Sequence, residues 1–129
     1  MTKITDIRIG NSLLLYNEVV KVTEIGFKDD DFYLRVEGKN NGYYIDQFEP
    51  IELYEDTLFN NGFKKSNEFG FYLYLDEITR LTLSRQPNGR INCKMLIHKN
   101  IFDINHIKYL HQLQNLYWCL VGKELNIEL

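Results

Sequence analysis

The chain has no alanine, two prolines and two cysteines among its 129 residues, and each scarcity narrows what it can be. Without alanine, the best helix former, a bundle of helices is disfavoured. Cys93 and Cys119 form neither a C-x-x-C pair nor the framework of a disulfide-stapled domain, so both are expected as reduced, buried thiols of an intracellular protein. No apolar run approaches the roughly 18 residues that a membrane-spanning helix requires. The opening MTKITDIRIG lacks the apolar core of a signal peptide, and the expected location is the cytoplasm. Also missing are the G-x-S-x-G elbow, the P-loop and G-x-G-x-x-G. His98, His106 and His111 do not have metal-ligand spacing, since the last two would point about 140° apart on a helix. Cys119 would sit two turns from His111, too far for a nucleophile–base pair. Asp76-Glu77 reads as a solvated turn. The expectation is a protein with no catalytic residues, no metal and no cofactor.

A chain of this length supports one domain, or two small subdomains sharing a core. The hydrophobic fraction of 44% and charged fraction of 26% are those of a soluble globular protein. Seventeen Phe and Tyr residues suggest aromatic-rich strands. The net charge of −3 is uneven: from Ile78 to Phe102 there is no acid, while Arg80, Arg85, Arg90, Lys94 and Lys99 give +5, leaving −8 elsewhere.

Residues 1–53 read as short strands: Leu13 to Tyr16, Val19–Ile25, Phe32–Glu37 and Tyr43 to Ile45. Asn17-Glu18, Asp29-Asp30-Asp31 and Gly38–Gly42 separate them. Strands and turns at this spacing predict a small, bent antiparallel barrel of SH3-like kind. The Asp29–Asp31 run lacks the glycine and distal glutamate of a calcium loop and reads as a solvated hairpin tip. After Pro50, residues 54–129 form a second, α+β subdomain. It begins with a short helix that carries Glu55 and Asp56 at its start, turns Leu58 and Phe59 inward and stops at Gly62. An antiparallel meander follows: Phe69–Leu75, Arg80–Arg85 and Arg90–His98, the last two joined by the turn Gln86-Pro87-Asn88-Gly89. The chain ends in a long helix over 105–121, capped by Asp103 or Asn105 and packed across the meander, with Leu125–Leu129 as a final edge strand.

Alternation puts Leu81, Leu83, Ile91, Cys93, Met95 and Ile97 on the inward face of the Arg80–His98 hairpin. Outward lie Arg80, Thr82 and Ser84 on one strand and Arg90, Asn92, Lys94 and His98 on the other, with Arg85 at the strand end and Tyr72 and Tyr74 alongside. Guanidinium forks and hydroxyls on a flat sheet suit a phosphate or carboxylate, and tyrosines beside cations can stack a nucleobase. The plainer reading is an ordinary solvated face. Duplex DNA is disfavoured, because the surplus acid elsewhere repels a long polyanion.

The 105–121 segment has an apolar arc of about 200°, which calls for burial on more than one flank, by its own sheet or by a second copy in a homo-oligomer. His111, Gln114 and Trp118 form a polar–aromatic stripe along one edge: an interface, or simply the margin of the core. Gln114 projects from within the arc and needs a hydrogen-bond partner.

The blocks HQLQNLYWCLVGKEL (111–125), IRIGN (7–11), F-E-P-I-x-L (Phe48–Leu53) and L-F-x-N-G-F (58–63) resemble small uncharacterised proteins encoded by Bacteroidota, their phages and their mobile elements. The helix of that group begins L-T-E-E, whereas Leu53-Tyr54-Glu55-Asp56 lacks the threonine cap. The resemblance implies a phage or mobile-element protein acting in the host cytoplasm. Such proteins often bind host components, and one class sequesters nucleotide-derived defence signals. Two expectations follow: a binder of an anionic, nucleotide-like small molecule, or an adaptor that grips a host protein with the C-terminal helix and takes no small ligand.

Overall fold

The computed structural model describes residues 4, 6–67, 70–85, 91–125 and 127–129, with the backbone alone for 55, 66, 67, 85, 105 and 106. The chain is α+β, with two five-stranded antiparallel sheets, a short helix and a C-terminal helix. It divides into two units, 1–52 with 109–124 and 53–108 with 125–129. The first unit is therefore completed by residues that the sequence reading assigns to the second.

In the first unit, β1 (Ser12–Leu15), β2 (Glu18–Lys28), β3 (Asp31–Val36), β4 (Gly42–Tyr44) and β5 (Phe48–Glu49) pair in the order β4-β3-β2-β1-β5, with a turn of 3-10 helix at Ile45–Gln47. Tyr16 and Asn17 (φ 50° and 66°) and Asp29 and Asp30 (φ 55° and 62°) make left-handed two-residue turns, whose twist matches the strands they join. A register shift between Val22 and Glu24 re-phases β2. Val20 and Val22 thus share a face with Ile25 and Phe27. Leu13, Leu15, Val20, Val22, Leu34, Val36 and Phe48 form the core, each at most 5% exposed. The expected barrel is not found closed: among the described residues β4 and β5 are the two edges of the sheet.

The unit is completed by α2 (Leu110–Val121), which packs on β1. This helix is shorter than the expected 105–121. Asp103 and Asn105 lie in a strand, and the residue at the N-cap position of the helix is Tyr109. Tyr109 is extended and bridges Glu52, and its N–H donates to Gln112 Oε1 at 3.0 Å. Gly122, at φ 75°, closes the C-terminus by donating to the Trp118 carbonyl at 2.8 Å. Leu110, His111, Leu113 and Gln114 are buried, whereas Trp118, Cys119 and Leu120 are exposed. Within the chain the helix is buried along one face, at Leu110, His111, Leu113 and Gln114, and Cys119 is not the buried thiol expected.

Polar contacts across more than a hundred residues hold α2 in place. Gln114 Oε1 accepts from the Ser12 N–H at 2.9 Å, and its Nε2 donates to Ser12 Oγ at 3.3 Å. Asn11, with no exposed surface, donates to Asn115 Oδ1 at 2.7 Å. Arg8 donates to the same oxygen at 3.2 Å, grips both carboxylate oxygens of Glu124 at 2.6 and 2.9 Å, and lies 4.7 Å over the Trp118 ring. Gly10 allows this approach. Its φ is 97°, and a β-carbon there would stand 2.6 Å from Glu124 Oε1.

The second unit starts with α1 (Glu55–Asn60), whose Tyr54 N-cap makes no side-chain capping bond, consistent with the missing threonine. Leu58 is 3% exposed, but Phe59 is 62% exposed and does not turn inward. The sheet runs β10-β9-β8-β7-β6 through β6 (Lys64–Asn67), β7 (Gly70–Tyr74), β8 (Thr79–Arg85), β9 (Ile91–Ile97) and β10 (Asn100–Ile107). The sequence reading missed β6 and β10. Phe71, Leu81, Leu83 and Cys93 are buried on the inward face, and burial pushes the Cys93 thiol up to about 12. Among the described residues, Leu125–Leu129 forms no strand. Glu128 is held instead by its backbone, its N–H donating to Asn61 Oδ1 at 2.7 Å and its carbonyl accepting from Asn61 Nδ2 at 2.9 Å.

The Arg8 hydrogen bonds hold the Glu124 carboxyl below its ordinary range. A depressed carboxyl stabilises the fold at neutral pH and ceases to do so as the pH falls through its folded value. Glu124→Gln should therefore cost about 1 kcal/mol at pH 7, and less on acidification below pH 4, measured by urea unfolding of both proteins across that range.

Candidate ligand-binding face

Strand register decides which side chains share the outward face of the second sheet. β7 pairs with β8 through Tyr72↔Thr82 and Tyr74↔Arg80, and β8 with β9 through Thr82↔Lys94 and Ser84↔Asn92. Tyr72, Tyr74, Arg80, Thr82, Ser84, Asn92 and Lys94 therefore stand on one face, opposite the buried Leu81, Leu83 and Cys93. The two unexpected strands widen this face. β6 brings Lys64 opposite Tyr72, and β10 brings Asp103 opposite Lys94. A row of five residues, Lys64, Tyr72, Thr82, Lys94 and Asp103, crosses the sheet. Lys64 was missed because Lys64 and Lys65 carry no apolar alternation to mark a strand, and only pairing with β7 reveals one.

At the centre, the Arg80 guanidinium lies 5.2 Å from the Tyr72 ring centroid, within the range in which a ring face attracts a cation. Tyr74 meets Tyr72 edge-to-face at 5.7 Å and is 56% exposed. Lys94 Nζ stands 3.8 Å from Asp103 Oδ1, with both side chains at least half exposed, so the pair is weak and open to competition. Two polar atoms beneath this surface, Thr82 Oγ1 and Asn92 Oδ1, are buried without a hydrogen-bond partner among the described residues. Buried polar atoms are rarely left this way, because each forgoes the bond it had with water.

Other candidates fall elsewhere. Arg85 pairs with Ile91, one residue out of step with Arg80, Thr82 and Ser84, so its register position is not on this face. Arg90 lies outside the described residues. His98 is not on the flat of the sheet but at φ 53° in the β9–β10 turn, its N–H donating to the Ile78 carbonyl at 3.0 Å. It lies near Asp76, whose carboxyl is held low chiefly by the Ile78 N–H, with smaller contributions from Thr79 and His98. A carboxylate there disfavours a bound anion. The proposed helix stripe divides: His111 and Gln114 are 1% and 3% exposed, whereas Trp118 is 41% exposed. Gln114 has its partner in Ser12, so its amide no longer argues for a second chain. Among the described residues, no three His, Cys, Asp or Glu side chains gather as metal ligands, the Asp29–Asp31 turn included.

Comparison with protein-family models, curated proteins and solved structures finds no match to the chain.

An unpartnered buried hydroxyl costs stability that a methyl group of the same size does not. Thr82→Val should therefore leave the fold intact and stabilise it by about 1 kcal/mol. A lower midpoint in urea for Thr82→Val would show that the hydroxyl bonds within the protein.

Proposed function

We propose that the protein is a non-enzymatic binder of an anionic, base-bearing small molecule of nucleotide type, held on the outward face of the second sheet. One observation carries this reading: a guanidinium, two tyrosines and two lysines share one face. Arg80, Lys94 and Lys64 supply the positive charge for a phosphate. Tyr74 offers a face on which a base can stack. Thr82 Oγ1 and Asn92 Oδ1 lie buried beneath the row, so a ligand would reach them only after the side chains over them move. Ser84 completes the polar row. Asp103 opposes the ligand and limits its affinity.

The finer parts of this reading have other support. The strand order β5-β1-β2-β3-β4, with a turn of 3-10 helix before β5, favours an SH3-like relationship for the first unit. The sequence resemblance alone supports a phage or mobile-element origin, and with it the sequestration of a host-defence signal in the cytoplasm. The adaptor reading draws on Trp118 and Leu120, exposed at 41% and 37% on the last turns of α2.

Thermal-shift titration against linear and cyclic nucleotides tests the proposal. A ligand at 100 times its Kd adds about 2.7 kcal/mol of apparent stability. Arg80→Ala should abolish that shift, and Asp103→Asn should enlarge it by removing a like charge. Absence of any shift, or an undiminished shift in Arg80→Ala, overturns the proposal. Capture of a host protein that survives Arg80→Ala and is lost in Trp118→Ala would establish the adaptor instead.

A further inference from the structure

The inward face of β2 and β3 does not end where the core of the first unit ends. Register pairs Ile25 with Leu34 and Phe27 with Phe32, which continues the face of Val22 and Val36 towards the hairpin tip. Exposure climbs along it: Leu34 0%, Ile25 37%, Phe32 51%, Phe27 63%. The two phenylalanines meet edge-to-face at 5.3 Å. Beneath them lies a cavity of about 550 Å³ bounded by Ile7, Phe27, Phe32 and Leu34, within the roughly 300–1,000 Å³ of ordinary ligand sites.

Three carboxylates, Asp6, Asp30 and Asp31, border the same cavity. Asp31 Oδ1 accepts from the Phe32 N–H at 2.8 Å. Asp30 projects from the turn at φ 62° and makes no hydrogen bond or ion pair among the described residues. The neighbouring Asp29 is committed, accepting from the Tyr44 hydroxyl at 2.9 Å. Around this cavity the unit holds seven Lys and Arg against eleven Asp and Glu, a balance that draws cations and repels anions. The carboxylates do not converge on a metal-sized point. They suit positive charges spaced along a chain rather than a single ion.

We propose that this groove docks a peptide segment of another protein in which an aromatic or long aliphatic side chain stands between basic residues. The apolar side chain fills the cavity against Phe27, Phe32 and Leu34, and the flanking cations reach Asp30 and Asp31. The site is independent of the anion-binding face proposed above: it is lined by other residues, and its charge preference is opposite.

Fluorescence anisotropy with three labelled, blocked pentapeptides tests the proposal: Gly-Lys-Phe-Lys-Gly, Gly-Lys-Ser-Lys-Gly and Gly-Glu-Phe-Glu-Gly. The first should bind at least tenfold more tightly than either of the others, and more weakly as salt is raised. Phe27→Ser, at a position already largely exposed, should keep the circular dichroism of the fold and lose at least tenfold in affinity. Asp30→Asn with Asp31→Asn should flatten the salt dependence, while Arg80→Ala should change nothing. Equal binding of the serine peptide, unchanged binding by Phe27→Ser, or no saturable binding at millimolar peptide each overturns the proposal. So does a dimer in sedimentation that Phe27→Ser converts to monomer, since a second copy would then be the occupant.

Discussion

The first unit depends on a polar seam between its beginning and the end of the chain. Asn11 and Gln114 are both buried, and each spends its amide across the seam, on Asn115 and Ser12 respectively. Buried amides are costly unless bonded, so the seam tolerates little displacement. A helix shifted by one turn would leave Asn11, Ser12 and Gln114 unsatisfied together. Apolar packing of Leu110 and Leu113 supplies attraction, but attraction of that kind is non-directional. The amides, and the two-pronged grip of Arg8 on Glu124, choose the one position in which everything pairs.

This closure lets a long segment of chain intervene between the two parts of the first unit. Residues 53–108 lie between the two segments that make up the first unit. Lengthening a connection is cheap, at about 0.6 kcal/mol for each doubling of a flexible loop, and the inserted segment folds into a sheet of its own. Where the chain passes between the units, the Leu110 N–H donates to the Ile51 carbonyl within the first unit, and the Leu53 N–H donates to the Lys108 carbonyl within the second. The insertion thus begins and ends at one place in the chain path, with backbone bonds satisfied on either side.

The division also sorts charge. The first unit is net acidic, and the second, which holds the acid-free stretch, is net basic by one charge. The two proposals divide along the same line. A sheet face with Arg80 over Tyr72 is proposed for an anion with a ring, and an apolar groove with carboxylates at its rim for a cation with an apolar side chain. The sheet face uses residues that the core behind it does not need, since Leu81, Leu83 and Cys93 do the burying there, whereas the groove shares Leu34 with the core of its own unit.

Alternation along Arg80–Arg85 and Asn92–Lys94 was legible in the sequence, because period-two placement depends only on the pleat and on which face is buried. That sufficed to group Arg80, Thr82, Ser84, Asn92 and Lys94, and to place Tyr72 and Tyr74 beside them. Register lay beyond it, and with it Lys64 and Asp103, because pairing partners are chosen by strands that have no pattern of their own. The C-terminal helix shows the same limit. Its apolar spacing announced burial correctly for Leu110 and Leu113, and flagged Gln114 as a residue in need of a partner. It could not say that residues 105–107 would complete a sheet edge instead of a helix, or that the partner would be Ser12, a hundred residues earlier. Periodicity records how much surface must leave water, a property of the local chain. Which surface receives it depends on contacts between distant residues, and these exist only once the chain has closed.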